Sequence, residues 1–514
     1  MNGITVLPFF STWDREQSRW RDYYERRLQD KLIWAIHHVR GQRPAGLATH
    51  CDSLLTLLER ARPYPRLRSQ MIEMIVALGD WPVRWGQWHT WEEMLHFGLN
   101  VMDEKQEPAR YASLLKQLAH LTLHTGRLEE AIALGRQTVN LAESADAPLP
   151  LAEAADLVVN VLVRRGDNDA AHDFLARAER SLASCSRVGA AAVYLYWSHA
   201  LVARRQGRLD EMADWADRAV VWLEQLDPQH PLLGEALDTR GAYRWVRAEY
   251  AAAADDLKRA VAFHTQQGDE FAAIGSLGNL SLVYLDTGNL AQTEELIRRC
   301  IVFEERQRAR WYLAINVGNL AEVYLLRGEF DRALSYNDQH LAMAAQNRDA
   351  QEVARAKGNR GKILLHVDPE AALPHLQAWN AFTREHGGPA GLTDSYCALA
   401  RCLFTLGQPE ALRHAQKALL VARRVGQPWV QIAVRCLAEQ LPSDQREPLL
   451  QEALRMARQL GRQLDEAACL LWLANLKRGD EQAQLWDEGA RLLDRCTASN
   501  WLKHYSPQCP PPIP

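Results

Sequence analysis

The sequence predicts an all-α protein built as a solenoid of helical hairpins. A landmark residue returns about every 40 positions along the 514-residue chain, which is the mark of a repeat array. The landmarks are Gly46, Gly86, Gly126, Gly166, Gly207, Ala248, Gly288, Gly328, Asp368 and Gly407. Apolar residues between them recur at helical spacing. Because one such unit cannot bury its apolar face alone, successive units must stack into an elongated array.

The unit around Gly288 shows how each element is encoded. Leu277, Leu280 and Val283 lie on one face of a first helix. Gly288 follows within a polar turn, where glycine allows the chain to reverse direction. A second amphipathic helix then carries Ile297 on its apolar face. Each unit is therefore helix, turn, helix.

The next unit copies this pattern and adds a signature. Its residues, in order, are Leu320, Ala321, Tyr324, Gly328, Phe330 and Ala333. This pattern resembles the tetratricopeptide repeat, and the resemblance implies a right-handed superhelix whose first helices line a concave wall. The period near 40 exceeds the usual 34, so we expect helices longer by about one turn. Long-helix repeats of this kind are similar to those of kinesin light chains and of the sensor regions of MalT-type and NB-ARC-type signalling ATPases.

The chain is expected to divide into four parts. These are N-terminal helices with a first degenerate repeat (1–65), regular repeats (66–425), irregular capping repeats (426–500) and a proline-rich tail (501–514). Near the end the period shortens, with turns at Pro442 and Gly479. The prolines after Ser506 exclude a helix there, and a plain linker is favoured over a docking peptide. No GxxxxGK[ST] loop precedes the array, so the resemblance to the ATPases covers only their repeat half.

Composition narrows the functional class. The 60 basic and 64 acidic residues nearly balance, which argues against nucleic acid as a partner without excluding it. Nine cysteines without a CxxC pair are typical of a reducing cytosol. No run of 18 apolar residues occurs, so no membrane span is expected. These features predict a cytoplasmic protein.

A polar ladder runs through three consecutive first helices. Asn279, Asn319 and Asn359 are 40 residues apart, and each follows a glycine. Because an amide offers both a donor and an acceptor, this ladder could hold the backbone of a bound peptide, with glycine leaving room for it. Alternatively, the asparagines bond to the next helix and the glycines allow close packing. The predicted partner-binding residues are Asn279, Asn319, Asn359, Glu322, Arg355 and Lys362.

Other motifs favour structural roles. For the cluster Trp81, Trp85, Trp88 and Trp91, core packing is favoured over a binding hot spot. His120 and His124 are four residues apart, but no third metal ligand accompanies them. The segment 358–362 resembles a phosphate loop, yet Ile363 replaces the required Ser or Thr. The sequence therefore predicts no metal and no cofactor.

The sequence predicts a non-enzymatic scaffold or adaptor that binds a protein or peptide, most naturally on the concave surface. The alternative is the regulatory module of a bacterial signalling or defence system that senses a small molecule or nucleic acid. The sequence does not specify an oligomeric state.

Overall fold

A computed structural model describes residues 9–41, 50–79, 81–84, 87–125, 127–165, 167–206, 208–307, 310–347, 349–424 and 426–505. All regular secondary structure in these ranges is helical. The predicted all-α class is confirmed.

The α-helices of the N-terminal half are numbered in chain order. Helices α1 to α5 are Phe9–Gly41, Cys51–Ala61, Arg68–Leu78, Trp81–Arg84 and Trp88–Val101. Helices α6 to α11 are Pro108–His124, Leu128–Ser144, Pro148–Arg165, Asn168–Ser184, Ala192–Arg205 and Leu209–Leu226.

The α-helices of the C-terminal half continue this order. Helices α12 to α18 are Leu233–Val246, Tyr250–Gln267, Glu270–Thr287, Leu290–Gln307, Arg310–Leu326, Phe330–Gln346 and Ala350–Leu364. Helices α19 to α25 are Pro369–His386, Pro389–Thr405, Ala411–Ala422, Gln427–Glu439, Ser443–Leu460, Gln463–Ala474 and Gly479–Arg495. Three short 3₁₀ segments are Pro65–Leu67, Gly189–Ala191 and Ser499–His504.

The turns explain the sequence landmarks. Gly288, Gly328 and Gly407 have φ values of 85°, 72° and 67°, the left-handed region that favours glycine. Ala248 takes the same conformation, with φ of 62°, at a steric cost. Asp368 differs, because its backbone is extended and its side chain accepts a hydrogen bond from the Ala371 amide to cap α19. Landmarks at 46, 86, 126, 166 and 207 lie outside the described residues.

Each hairpin consists of two long helices joined at such a turn. Helices α15 and α16 contain 18 and 17 residues, consistent with the expected extra turn. Within a hairpin the first helix packs along the second, as α16 does with α17 and α20 with α21. The chain is an all-α solenoid of tetratricopeptide-like hairpins.

The chain divides into two compact units. Unit 1 comprises Met1–Val202, Val221–Leu232 and His264–Phe271. Unit 2 comprises Ala203–Val220, Leu233–Phe263 and Ala272–Pro514. Among the described residues of unit 1, apolar clusters form around Trp91 and Ile75 and around Leu151 and Leu175.

The largest cluster of unit 2 joins helices that are far apart in sequence. Leu290, Leu320 and Tyr324 belong to the same buried cluster as Leu470 and Trp501. Helix α24 is buried on all sides, since its residues from Leu464 to Ala474 are buried with the exception of the half-buried Glu466. A helix buried all round lies at the centre of a packed body rather than at its surface. The C-terminal helices therefore pack onto hairpins that precede them by more than 130 residues.

No helix in the described ranges is both long enough and apolar enough to cross a lipid bilayer.

Candidate functional site

The three ladder asparagines occupy equivalent positions on successive first helices. Asn279 lies on α14, Asn319 on α16 and Asn359 on α18. We call the faces of α14, α16 and α18 that carry these residues the first-helix wall. The three amides have different surroundings, so the ladder is regular in sequence but not in bonding.

Asn279 lies beside open space. Its Nδ2 donates to Asp238 Oδ2 on α12 at 2.9 Å. The other carboxylate oxygen, Asp238 Oδ1, is enclosed and has no hydrogen-bond partner among the described residues. Burial raises the pKa of the Asp238 carboxyl, and the Ser276 and Asn279 side chains partly offset this rise. A Cβ placed on Gly275 or Gly278 would meet no atom within 4 Å.

Asn319 is buried in a network. Its Oδ1 accepts from Arg355 Nη1 at 2.9 Å, and its Nδ2 faces Asn316 Oδ1 at 3.5 Å. Arg355 also donates to Glu352 Oε2 at 2.8 Å. Glu352 in turn lies 3.0 Å from the buried His340 Nε2. Asn319 thus joins α16 to the next first helix, as in the packing alternative.

The glycines before Asn319 and Asn359 make room for neighbouring side chains. A Cβ on Gly318 would lie 2.7 Å from both Arg355 Nη2 and His340 Nδ1. A Cβ on Gly358 would lie 2.4 Å from the Trp379 ring. At these two positions glycine is needed for packing, whereas the equivalent Gly278 faces open space.

Asn359 is 5% exposed, and its Nδ2 finds no acceptor within the part of the chain that the structure describes. A buried amide without a partner costs free energy. Asn279 and Asn319 are therefore hydrogen-bonded to neighbouring first helices, through Asp238 and Arg355. Asn359 differs, because its Nδ2 is a donor without an acceptor in the described residues.

Two other predicted partner-binding residues, Glu322 and Lys362, begin a longer series of side chains with alternating charge. We call this series the charge chain. Its members, in order, are Glu322, Lys362, Asp394, Arg401, Glu439, Arg435, Asp465, Arg462 and Asp286.

Six of the eight links along the charge chain are direct ion pairs, and Glu322 and Arg401 act electrostatically on Lys362. Lys362 Nζ bonds to Asp394 Oδ2. Arg401 Nε lies 2.9 Å from Glu439 Oε2, and Glu439 Oε1 lies 3.5 Å from Arg435 Nε. This part of the charge chain links first helices α18, α20 and α22.

The charge chain closes through the C-terminal helices. Arg435 Nη1 lies 2.8 Å from Asp465 Oδ1 on α24, and Asp465 pairs with Arg462. Arg462 Nη1 then lies 3.4 Å from Asp286 Oδ1. The same nitrogen donates a hydrogen bond to the Tyr250 hydroxyl at 3.0 Å. Residues near positions 250 and 286 are therefore joined to the start of α24.

Burial makes the electrostatics of this series strong. Although burial opposes a charged ammonium, Asp394 and Glu322 raise the pKa of Lys362. Burial likewise opposes ionisation of Asp465, but Arg462 and Arg435 hold its pKa below the usual value. For Asp286 burial prevails and raises the pKa despite Arg462. The charge chain is thus a set of mutually dependent ions.

Sequence reasoning missed most of the charge chain. It identified Glu322 and Lys362 but not the seven residues from Asp394 to Asp286, because their partners lie at no constant spacing. Arg462 and Asp286 are 176 residues apart. A usable signal was the charge of Arg435, Glu439 and Asp465 within otherwise apolar first helices.

The tryptophan cluster, the histidine pair and the segment 358–362 were the other candidates from the sequence. Trp91 is fully buried in the unit 1 core, whereas Trp88 is 42% exposed and donates to the Val83 carbonyl at 2.9 Å. Trp85 and the side chain of His124 lie outside the described residues. The segment 358–362 lies inside α18, and within the described ranges no cluster of His, Cys, Asp and Glu suits a metal ion.

Comparison with known proteins supports the fold. No family model and no curated protein matches the chain. A Rap protein complexed with competence and sporulation factor aligns with a TM-score of 0.53 at 15% identity, covering 70% of this chain and 98% of that one. This chain has a tetratricopeptide-like fold.

Two further solved structures align at lower scores. Apo RapI aligns at 14% identity and a TM-score of 0.41, over 67% of this chain and 97% of that one. A signal transduction ATPase with a tetratricopeptide repeat sensor, from Pyrococcus horikoshii, aligns at 14% identity and a TM-score of 0.43. That alignment covers 66% of this chain and 55% of the ATPase.

Proposed function

We propose that this protein is a non-enzymatic scaffold that binds a partner polypeptide along the first-helix wall. The observation that carries the proposal is the open space at Gly275 and Gly278. An extended backbone can approach a helix closely where two side chains are missing.

The balance of charge supports a polypeptide over nucleic acid. The chain has 60 basic and 64 acidic residues, and the cations of the charge chain are paired with carboxylates, whereas phosphate backbones need clustered cations. The likeness to a Rap protein complexed with competence and sporulation factor supports a preformed helical array as a polypeptide-binding platform. The role of the protein would be that of an adaptor or regulator in the cytoplasm.

The test is a bulky substitution that fills the open space without disturbing packing. A partner purified with the protein from its natural host is titrated against Gly278→Trp. Because the space beside Gly278 is empty, we expect a folded protein with at least tenfold weaker binding, about 1.4 kcal/mol.

Val302→Trp is the matched control. Val302 lies on the second helix α15 and is 66% exposed, so an indole fits there as well. Unchanged binding by Gly278→Trp, or loss of binding by Val302→Trp alone, would contradict binding at the wall.

A further inference from the structure

After α25, unit 2 contains a short segment that contacts the turns of distant hairpins. We call Ser499–Tyr505 the strap. It consists of the 3₁₀ segment Ser499–His504 followed by Tyr505. Trp501 and Tyr505 are both fully buried. The strap follows Thr497, whose φ of 58° is unusual for a β-branched residue and marks a sharp change of direction after α25.

Trp501 occupies a defined seat. The seat consists of Leu326 at the end of α16, Gly328 in the turn after it, Phe330 at the start of α17 and His366 in the turn after α18. Trp501 Nε1 donates to the Leu326 carbonyl at 2.8 Å. This carbonyl lies at the C-terminal end of α16, where backbone acceptors have no partner within the helix.

Aromatic rings surround the indole. The ring centroids of Phe330 and His366 lie 5.5 Å and 4.8 Å from that of Trp501, and both rings meet it edge-on. Phe330 and His366 stack on each other at 5.3 Å. Edge-on contacts of this kind contribute beyond simple burial. The pair therefore forms a preshaped slot for an indole.

Gly328 completes the seat. Its φ is 72°, and a Cβ there would lie 3.1 Å from Asn500 Cβ and 3.5 Å from the Trp501 ring. The equivalent Gly407, with φ of 67°, has no atom within 4 Å of its Cβ position. The turn glycine thus serves two purposes at 328, since it forms the turn and admits the strap.

These features are those of a peptide in a recognition groove: two buried aromatic anchors, Trp501 and Tyr505, a hydrogen bond from Trp501 to a carbonyl at a helix end, and few residues between Trp501 and a bend in the chain. We propose that the seat is a recognition site for a tryptophan-bearing segment and that the strap is its built-in, exchangeable occupant. The site is distinct from the first-helix wall.

The test uses a labelled synthetic peptide of residues 497–505 and the full-length chain. Anisotropy titration measures its binding to the wild-type chain and to the Trp501→Ala chain. A tethered strap competes at high effective concentration, so the wild-type chain should bind the peptide at least tenfold more weakly than the variant. The peptide carrying Trp501→Ala should bind neither chain.

A chain ending at Ala498 provides the second variant. If it is folded, it should bind the peptide as the Trp501→Ala chain does. If it is unstable, added peptide should raise its melting temperature in a concentration-dependent manner. A folded variant that does not bind the peptide, or an unfolded one that the peptide does not restore, would show that the strap is part of the core and not a ligand. The assay contains no other partner, so its failure leaves binding at the wall untouched.

Discussion

At the scale of single residues, Glu304 shows how burial alters chemistry beside the ladder. Its Oε1 accepts from Asn316 Nδ2 at 2.7 Å, and Asn316 in turn faces Asn319. The side chain is 4% exposed, and burial raises its pKa to about 7 from 4.5 although the Asn316 bond lowers it. The folded protein therefore holds a proton that the unfolded chain releases between these values.

This proton makes stability depend on pH. Between about pH 4.5 and 7 the folded state binds more protons than the unfolded state, so the contribution of Glu304 is full below pH 4.5 and declines as pH rises. The neutral Glu304→Gln should remove the decline. Its free energy of unfolding relative to wild type should increase by up to about 3 kcal/mol from pH 4.5 to 8, as measured by urea denaturation.

Glu305→Gln controls for loss of a carboxyl at an exposed neighbouring position. A Glu304→Gln effect that is constant across this pH range would contradict ionisation of Glu304 as the cause.

At the scale of elements, the charge chain ties helices that the repeat alone would leave apart. Arg462 has a 13% exposed side chain and precedes α24, where it meets Asp465 and Asp286. Buried ions of this kind add little net stability as a pair, but removing one leaves the other uncompensated. The arrangement therefore specifies which helices pack together more than it strengthens their packing.

Replacing Arg462 by methionine tests this role. Because Asp465 and Asp286 would lose a cation, Arg462→Met should lower the free energy of unfolding by about 3–5 kcal/mol. Arg458→Met is the matched control, since Arg458 lies one turn earlier, is 47% exposed and pairs with Glu466 and Glu488 at 2.7 Å and 2.6 Å. Its cost should not exceed about 1 kcal/mol. Equal costs in urea denaturation would contradict a special role for Arg462.

At the scale of the whole molecule, the decisive feature lies within unit 2, where the C-terminal helices return to earlier hairpins. A Cβ on Gly288 would lie 2.9 Å from Cys496 Sγ and 3.3 Å from Gln463 Cβ. Arg462 and Trp501 make further contacts to the same edge of the hairpins. Unit 2 is therefore held by long-range contacts as well as by neighbours in sequence, which distinguishes it from an array with nearest-neighbour contacts only.

Alanine at two turn glycines tests this closure. Both Gly288→Ala and Gly407→Ala force alanine into the left-handed region, at about 1–2 kcal/mol. Only at Gly288 would the new methyl group also clash with the C-terminal helices. Gly288→Ala should therefore lower the free energy of unfolding by about 1–3 kcal/mol more than Gly407→Ala, as measured by thermal or urea unfolding. Cys496→Ala should reduce that difference in a double-mutant cycle, because it removes the clashing sulfur. Additivity of Gly288→Ala and Cys496→Ala would argue against the contact.

The sequence predicts the fold of this protein better than it predicts the contacts of the candidate site. Local signals are strong in each repeat, because apolar periodicity and turn glycines such as Gly288 and Gly328 act over one hairpin. The ladder positions were equally readable from a 40-residue spacing. Their bonding was not, because the neighbours that distinguish Gly278 from Gly318 and Gly358 come from other helices: Arg355 and His340 at one position and Trp379 at the other.

Local patterns in the chain are therefore enough to specify the class of fold, the helix–turn–helix unit and the positions that repeat, since each follows from the steric and apolar preferences of adjacent residues. The contacts of Arg462 with Asp286 and of Trp501 with Leu326, across 176 and 175 residues, arise only when the hairpins pack together. Such contacts depend on how small angles between successive hairpins accumulate, and no local pattern in the chain encodes that sum.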